Sequence, residues 1–193
     1  MRCVPTECSD GELAALTIAG RNDAFAELMR RHREPTYRLI RGHIGDPEEA
    51  VDLLQDCFIS AFKALDRYDQ ARPFRAWLSR IAINKCRDWA RRRAVRRLFF
   101  AASPESRAAE IADPAPSPAD AAGDRQELER LSNAIAALPR NLKEPLILRT
   151  IEGLSQSETA MVLRISEKAV ETRLYRARQK LLAIRHARQS PSS

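Results

Sequence analysis

At 193 residues the chain can bury one large core or two small ones. Hydrophobic residues make up 44%, aromatics only 6% and charged residues 31%, a balance that suits helical domains better than sheets. The net charge of +7 points to a polyanionic partner or a membrane surface. No apolar run approaches the roughly 20 residues that span a bilayer, and MRCVPTECSD lacks the apolar centre of a secretory signal, so a cytoplasmic protein is expected.

Residues 1–20 hold little pattern and are read as an N-terminal tail. From Asp23 a helical period places Phe25, Leu28, Met29 and His32 on one face, with His32 a half-buried histidine rather than a catalytic one. Pro35 interrupts the period, either opening a second helix or bending one, and Tyr37, Leu39, Ile40 and Ile44 carry it to Gly45. Asp46-Pro47-Glu48-Glu49 is a strong helix start: an acidic cap, Pro in the first turn, and carboxylates where the helix dipole favours them. That helix is expected to run to Leu65 with Val51, Leu54, Phe58, Phe62 and Leu65 as its core stripe. Glu49, Asp52 and Asp56, with Leu53 and Gln55 beside them, form a separate acidic stripe. It is either a docking face for a basic partner or a solvated surface.

Tyr68 to Pro73 reads as a loop and Phe74 to Arg97 as a helix. Between Arg72 and Arg97 ten Lys/Arg face the lone carboxylate Asp88, interleaved with Trp77 and Trp89 and preceded by Tyr68. Cations mixed with aromatics suit unstacked single-stranded bases, although the tryptophans also fit a core, Trp77 above all. Residues 101–123 are rich in Ala, Ser and Pro, acidic and aperiodic, and read as a linker. Helix returns at Asp124 with Leu128, Leu131, Ile135 and Leu138 as its stripe. A short helix over Leu142 to Ile151 follows, which tolerates Pro145 only in its first turn.

Gly153 to Arg185 then reads as a helix-turn-helix. Ser155 and Glu158 form a capping box, and Ala160, Leu163, Ile165 and Val170 are small or apolar where two helices pack at a tight turn. Ser166 caps a long second helix whose stripe is Val170, Leu174, Ala177 and Leu181, with Lys168, Arg173, Arg176 and Lys180 outside it. Such a helix packs on one side and offers cations to a DNA groove on the other. Between Arg164 and Arg188 eight Lys/Arg face only Glu167 and Glu171, so positive charge is concentrated in two segments, as two nucleic-acid contacts require. No strand period occurs, and an all-α chain of two helical domains on a flexible tether is expected. Cys3, Cys8, Cys57 and Cys86 form no metal framework; Cys3 and Cys8 read as reduced thiols, the other two as small core residues. A Gly-rich phosphate loop, metal-spaced His/Asp and a nucleophile motif are all missing, so no enzyme, cofactor or metal is expected.

DPEEAVDLLQDCFISAFKAL, RPFRAWLSRIAINKCRDWARRR, ALPRNLKEPLILRTIEGLSQSETA and VETRLYRARQKL, in this order, resemble an extracytoplasmic-function sigma factor, which keeps sigma regions two and four. The resemblance implies domains at 21–98 (region two) and 125–187 (region four), joined by a linker at 99–124 and followed by a tail at 188–193. It implies core RNA polymerase and promoter DNA, double- and single-stranded, as partners. Asp52, Leu53, Gln55 and Asp56 would meet the beta-prime clamp helices, and region four the beta flap. Arg80, Asn84, Lys85, Asp88, Arg91 and Arg92 would read the minus-ten element, with the Tyr68–Phe74 loop holding a flipped base. Asp88 would accept from a cytosine amino group or pair with a neighbouring arginine. Lys168, Glu171, Arg173, Arg176 and Arg178 would serve the minus-thirty-five element. Arg164 stands where the family usually has Gly, and Lys168-Ala169 where it has Gly-Thr, which puts the usual base preference in doubt. Members are often held inactive by an anti-sigma protein, and membrane insertion is not expected. A stand-alone helix-turn-helix regulator is the alternative; it leaves the acidic stripe and the basic aromatic segment without a purpose.

Overall fold

The structure is a computed structural model and describes residues 5–101 and 122–189. The described residues are all-α: α1 (Asp10–Ile18), α2 (Asn22–Ile44), α3 (Pro47–Lys63), α4 (Phe74–Ala101), α5 (Ala122–Ala136), α6 (Arg140–Thr150), α7 (Gln156–Leu163) and α8 (Glu167–Gln189), with short 3-10 turns at Pro5–Glu7 and Leu65–Arg67. None of these helices is long and apolar enough to cross a membrane.

The segment expected as a tail is folded. Ser9 and Glu12 form a capping box that opens α1, and Leu13, Ala14 and Thr17 are buried against α2. Arg31 fixes this end. Its guanidinium donates to the carbonyls of Cys8 (2.8 Å), Thr6 and Pro5, and to the carboxylates of Asp10 and Glu27. Hydrogen bonds from Arg30 and Arg31 hold the Glu27 carboxyl down at about 2. His32 lies 2.7 Å from Asp10 and packs on the ring of Phe74, a structural role as expected. Cys8 is disulfide-bonded, not a reduced thiol. Cys57 and Cys86 are free and buried, and burial pushes the Cys57 thiol up to about 12, so neither is poised to react.

Pro35 opens no second helix; α2 runs through it to Gly45, which closes the helix at φ 81°. Asp46 accepts from the Glu48 and Glu49 amides and starts α3 as read. The predicted stripe is shifted: Leu54, Phe58 and Leu65 are buried, but Val51 and Phe62 are 42% and 49% exposed. Leu53 takes a core position instead. The stripe expected around α5 is half correct: Ile135 packs and Leu138, just past the end of α5, is buried, while Leu128 and Leu131 lie in the open. Pro145 falls beyond the first turn of α6, where it cannot donate to the Asn141 carbonyl. The expected linker keeps α4 at one end and α5 at the other, and residues 102–121 lie outside the described set.

Two cores result. A large one joins α1 to α4 around Leu13, Leu28, Leu39, Ile40, Phe58 and Leu78, and it also takes in Ile147, Leu148, Leu154 and Val162 from α6, α7 and their connection. A small one holds Leu138, Leu142, Leu146, Ala160, Val170, Leu174 and Ala177 and fixes α8 against α6 and α7.

Candidate nucleic-acid interface

Three surfaces carry the expected residues. On α3, Asp52, Gln55 and Asp56 are exposed, spaced so that they share one side of the helix. Leu53 is 3% exposed and belongs to the core, so it forms the floor of this surface and not its contact edge. Glu49 accepts from the Trp89 indole N–H at 2.8 Å and ties α3 to α4. Between the two helices runs an open groove of ≈ 750 Å³, with Glu49, Asp52 and Asp56 on one wall and Trp89, Arg92 and Arg96 on the other.

On α4, Arg80, Asn84, Asp88, Arg91 and Arg92 fall along one stripe at three- and four-residue steps. Lys85 lies off it, half-buried. Asp88 accepts from Arg91 at 3.0 Å, and both side chains are exposed. The aromatic residues are not the open stacking platforms their sequence pattern allows. Trp89 is 8% exposed and carries Arg93 over its ring. Tyr68, Phe74 and Trp77 form one cluster with centroids 5.2–5.3 Å apart. Tyr68 donates to the Arg72 carbonyl at 2.6 Å, and Asp69 accepts from the Ala71 amide, so the loop is internally pinned. Trp77, half-buried, remains accessible in a cleft of ≈ 230 Å³ with Tyr68, Arg72 and Arg80. The second wall of that cleft is Met161 and Val162 of α7.

The helix-turn-helix forms as its caps require. Ser155 accepts from the Glu158 amide while Glu158 accepts from the Ser155 amide at 2.6 Å, and Ser166 accepts from the Ala169 amide. Arg164 closes α7 in the left-handed region at φ 56°. A residue with a Cβ is strained there by about 1–2 kcal/mol, so Arg164→Gly is expected to raise thermal stability by about 1 kcal/mol after the entropy of glycine is deducted. Equilibrium unfolding of the two proteins checks this. Val170, Leu174 and Ala177 of α8 are buried, with Leu181 packed beside them. Lys168, Glu171, Arg176 and Arg178 are exposed, whereas Arg173 is half-buried on the flank of the helix. Centred opposite the buried stripe are Thr172, Tyr175 and Gln179, residues that reading for charge alone passes over; Tyr175 is 64% exposed. Projecting the helix away from Val170 and Leu174 would have located them.

Comparison with known proteins matches two stretches of the chain to known regions. Residues 28–96 match Sigma-70 region 2, and residues 128–181 match Sigma-70, region 4. The chain is 41% identical over 182 residues to the RNA polymerase sigma factor CnrH of Cupriavidus metallidurans, covering 92% of this chain and 95% of that one. It is 34% identical over 177 residues to the ECF RNA polymerase sigma factor SigM of Mycobacterium tuberculosis, covering 91% and 84%. The solved structure of CnrH in complex with the cytosolic domain of CnrY superposes with a TM-score of 0.70, covering 92% of this chain and 97% of that one at 36% identity. With both regions matched in order, and with relatives of this similarity along nearly its full length, the chain belongs to the extracytoplasmic-function sigma factors of the sigma-70 family.

Proposed function

We propose that α3 docks this sigma factor on core RNA polymerase through Asp52, Gln55 and Asp56, set against the basic clamp helices of the beta-prime subunit, with region four on the beta flap. The α4 stripe of Arg80, Asn84, Asp88, Arg91 and Arg92, with Lys85 at its flank, engages the minus-ten element, and the Tyr68–Phe74 loop with Trp77 receives the extruded base. Asn84 is exposed and has both donor and acceptor groups for a base edge, while the arginines suit phosphates. Helix α8 reads the minus-thirty-five element through Lys168, Glu171, Arg176 and Arg178, with Arg173 bracing the flank. The acidic linker follows the path of nucleic acid through the polymerase. A polypeptide inhibitor completes the set of partners, by likeness to CnrH, whose solved structure contains the cytosolic domain of CnrY.

The observation that carries this reading is the exposed acidic face of α3 standing beside the cationic stripe of α4. A stand-alone helix-turn-helix regulator has no use for it. Purified protein with core polymerase is expected to give specific transcripts whose mapped start sites share two promoter elements. Tight binding to the same promoters without core would favour the regulator. Arg176→Ala is expected to weaken promoter affinity by about 1–3 kcal/mol, with relaxed discrimination at one base position if it contacts a base, and uniformly if it holds phosphate. Competition binding against single-base promoter variants separates the two.

A further inference from the structure

Helix α1 precedes the residues that match region 2, yet its nine residues are held firmly, and their contacts lead through His32 to the Tyr68–Phe74 loop. Asp10 Oδ2 lies 2.7 Å from His32 Nε2, and Arg31 Nη1 donates to Asp10 Oδ1 at 3.1 Å. The hydrogen bond to His32 lowers the Asp10 carboxyl more than burial raises it, so Asp10 is a carboxylate at neutral pH. A carboxylate only accepts. The shared hydrogen therefore sits on His32 Nε2, and the bond fixes the direction in which the imidazole points.

The ring so held covers Phe74. Their centroids are 5.1 Å apart, and Phe74 in turn stands 5.2 Å from Tyr68 and 5.3 Å from Trp77. Phe74 opens α4 and borders a cleft of ≈ 580 Å³ that it shares with Ser9, Asp10, Gly11 and Gln70. It is nevertheless only 2% exposed, because the ring cluster shields it, and one ring of that cluster is aimed from α1. The helix also approaches the loop directly: a Cβ on Gly11 would meet the Gln70 Cβ at 3.8 Å. Burial and then the Asp10 charge raise the Tyr68 hydroxyl above its ordinary range, so it stays the donor that pins the Arg72 carbonyl. One carboxylate thus acts on both ends of the loop, on Phe74 through His32 and on Tyr68 through its field.

We propose that Asp10 is a positioning residue for promoter opening: acting through His32, it sets the Phe74 ring and so orders the loop that receives the extruded base before the base arrives. A loop already ordered gives up little conformational entropy at capture, which leaves more of the contact energy to offset the unstacking of the base. Helix α1 is then a working part of the base-capture site, although it touches no DNA itself. The base-capture role of the loop rests on the function proposed above; the Asp10–His32–Phe74 connection does not.

Holoenzyme assembled with core polymerase on a promoter of mapped start site tests this. Placing 2-aminopurine in turn at each non-template position of the minus-ten element finds the extruded base as the position of largest fluorescence rise. A second template carries an abasic site there, and 2-aminopurine at the neighbouring position then reports opening on both templates. Asp10→Ala removes the acceptor, whereas His32→Gln keeps a donor for Asp10 but offers Phe74 no ring. Both are expected to slow opening of the intact promoter about tenfold and to open the abasic one within about twofold of the parent rate. Asp10→Asn, which retains an acceptor oxygen for His32, is expected to recover most of the loss. His32→Gln, in which α1 stays docked, carries the comparison should Asp10→Ala loosen the fold. Equal losses on the two templates make the pair a support of the fold alone and overturn the positioning role while base capture stands. Opening of the intact promoter at the parent rate overturns it as well. If no minus-ten position brightens, or the abasic site costs the parent nothing, base capture by the loop falls, and the positioning role with it.

Discussion

Replacing Asp52 and Asp56 together by lysine is expected to lower affinity for core polymerase about a hundredfold while leaving the unfolding free energy within about 0.5 kcal/mol of the parent. Both side chains are exposed one helical turn apart on α3, away from the buried face formed by Leu53, Leu54, Cys57 and Phe58. Neither is buried against a partner within the chain, so the fold loses little when they change. Across an interface with a basic partner the same reversal turns two attractions into two repulsions, and couplings between close charge pairs at interfaces run to about 1.5–7 kcal/mol. Leu53→Ala is the informative contrast. Its side chain is 3% exposed, so it should cost about 2–5 kcal/mol of stability and affect polymerase binding only through the fold. Titration of each variant against core polymerase, beside its denaturant unfolding curve, separates a contact from a support. Equal affinity of the lysine variant and the parent would remove α3 from the docking surface.

Local chemistry was what the sequence made legible. Ser155 with Glu158, Asp46 with Pro47, and the Val170–Leu174–Ala177 stripe all act within a few residues of themselves, so their meaning survives without knowledge of the fold. Where the reading failed, the deciding partner was distant. Helix α1 looked like a tail because nine residues with little pattern owe their order to Arg31 and His32, more than twenty residues away in sequence. Val51 and Leu53 fit a helical period about equally well; packing of α2 and α4 on α3 turns Leu53 inward and leaves Val51 out. Trp89 was legible as aromatic among cations but not as the donor to Glu49 that locks α3 to α4. Nothing local marks Glu144, in a short stretch otherwise rich in apolar residues, as the partner of Arg87 fifty-seven residues earlier. Charge alone picked out the residues proposed to meet DNA, but their exposure, and the half-burial of Arg173 in particular, required the packed helix.

The small second core sets the other large effect. Leu174→Ala is expected to remove about 2–5 kcal/mol from a unit whose apolar centre is only Leu138, Leu142, Leu146, Ala160, Val170, Leu174 and Ala177. A core of that size contributes on the order of 3–5 kcal/mol in total, so one such loss is enough to unfold region four under ordinary conditions. Region two should survive it, since the large core keeps Leu28, Leu39, Phe58 and Leu78. The expected signature is therefore split. Helical circular dichroism falls, whereas fluorescence from Trp89, buried between α3 and α4, keeps its folded character. Trp77, which borders Met161 and Val162, should become more exposed as α7 leaves. Tyr175→Ala supplies the matching surface test on the same helix: at 64% exposure it should leave stability within about 0.5 kcal/mol and act, if it acts at all, on promoter affinity. Should Leu174→Ala instead unfold the whole chain in one transition, the Ile147, Leu148, Leu154 and Val162 contacts couple the two regions more tightly than two separate cores allow, and the domains behave as one cooperative unit.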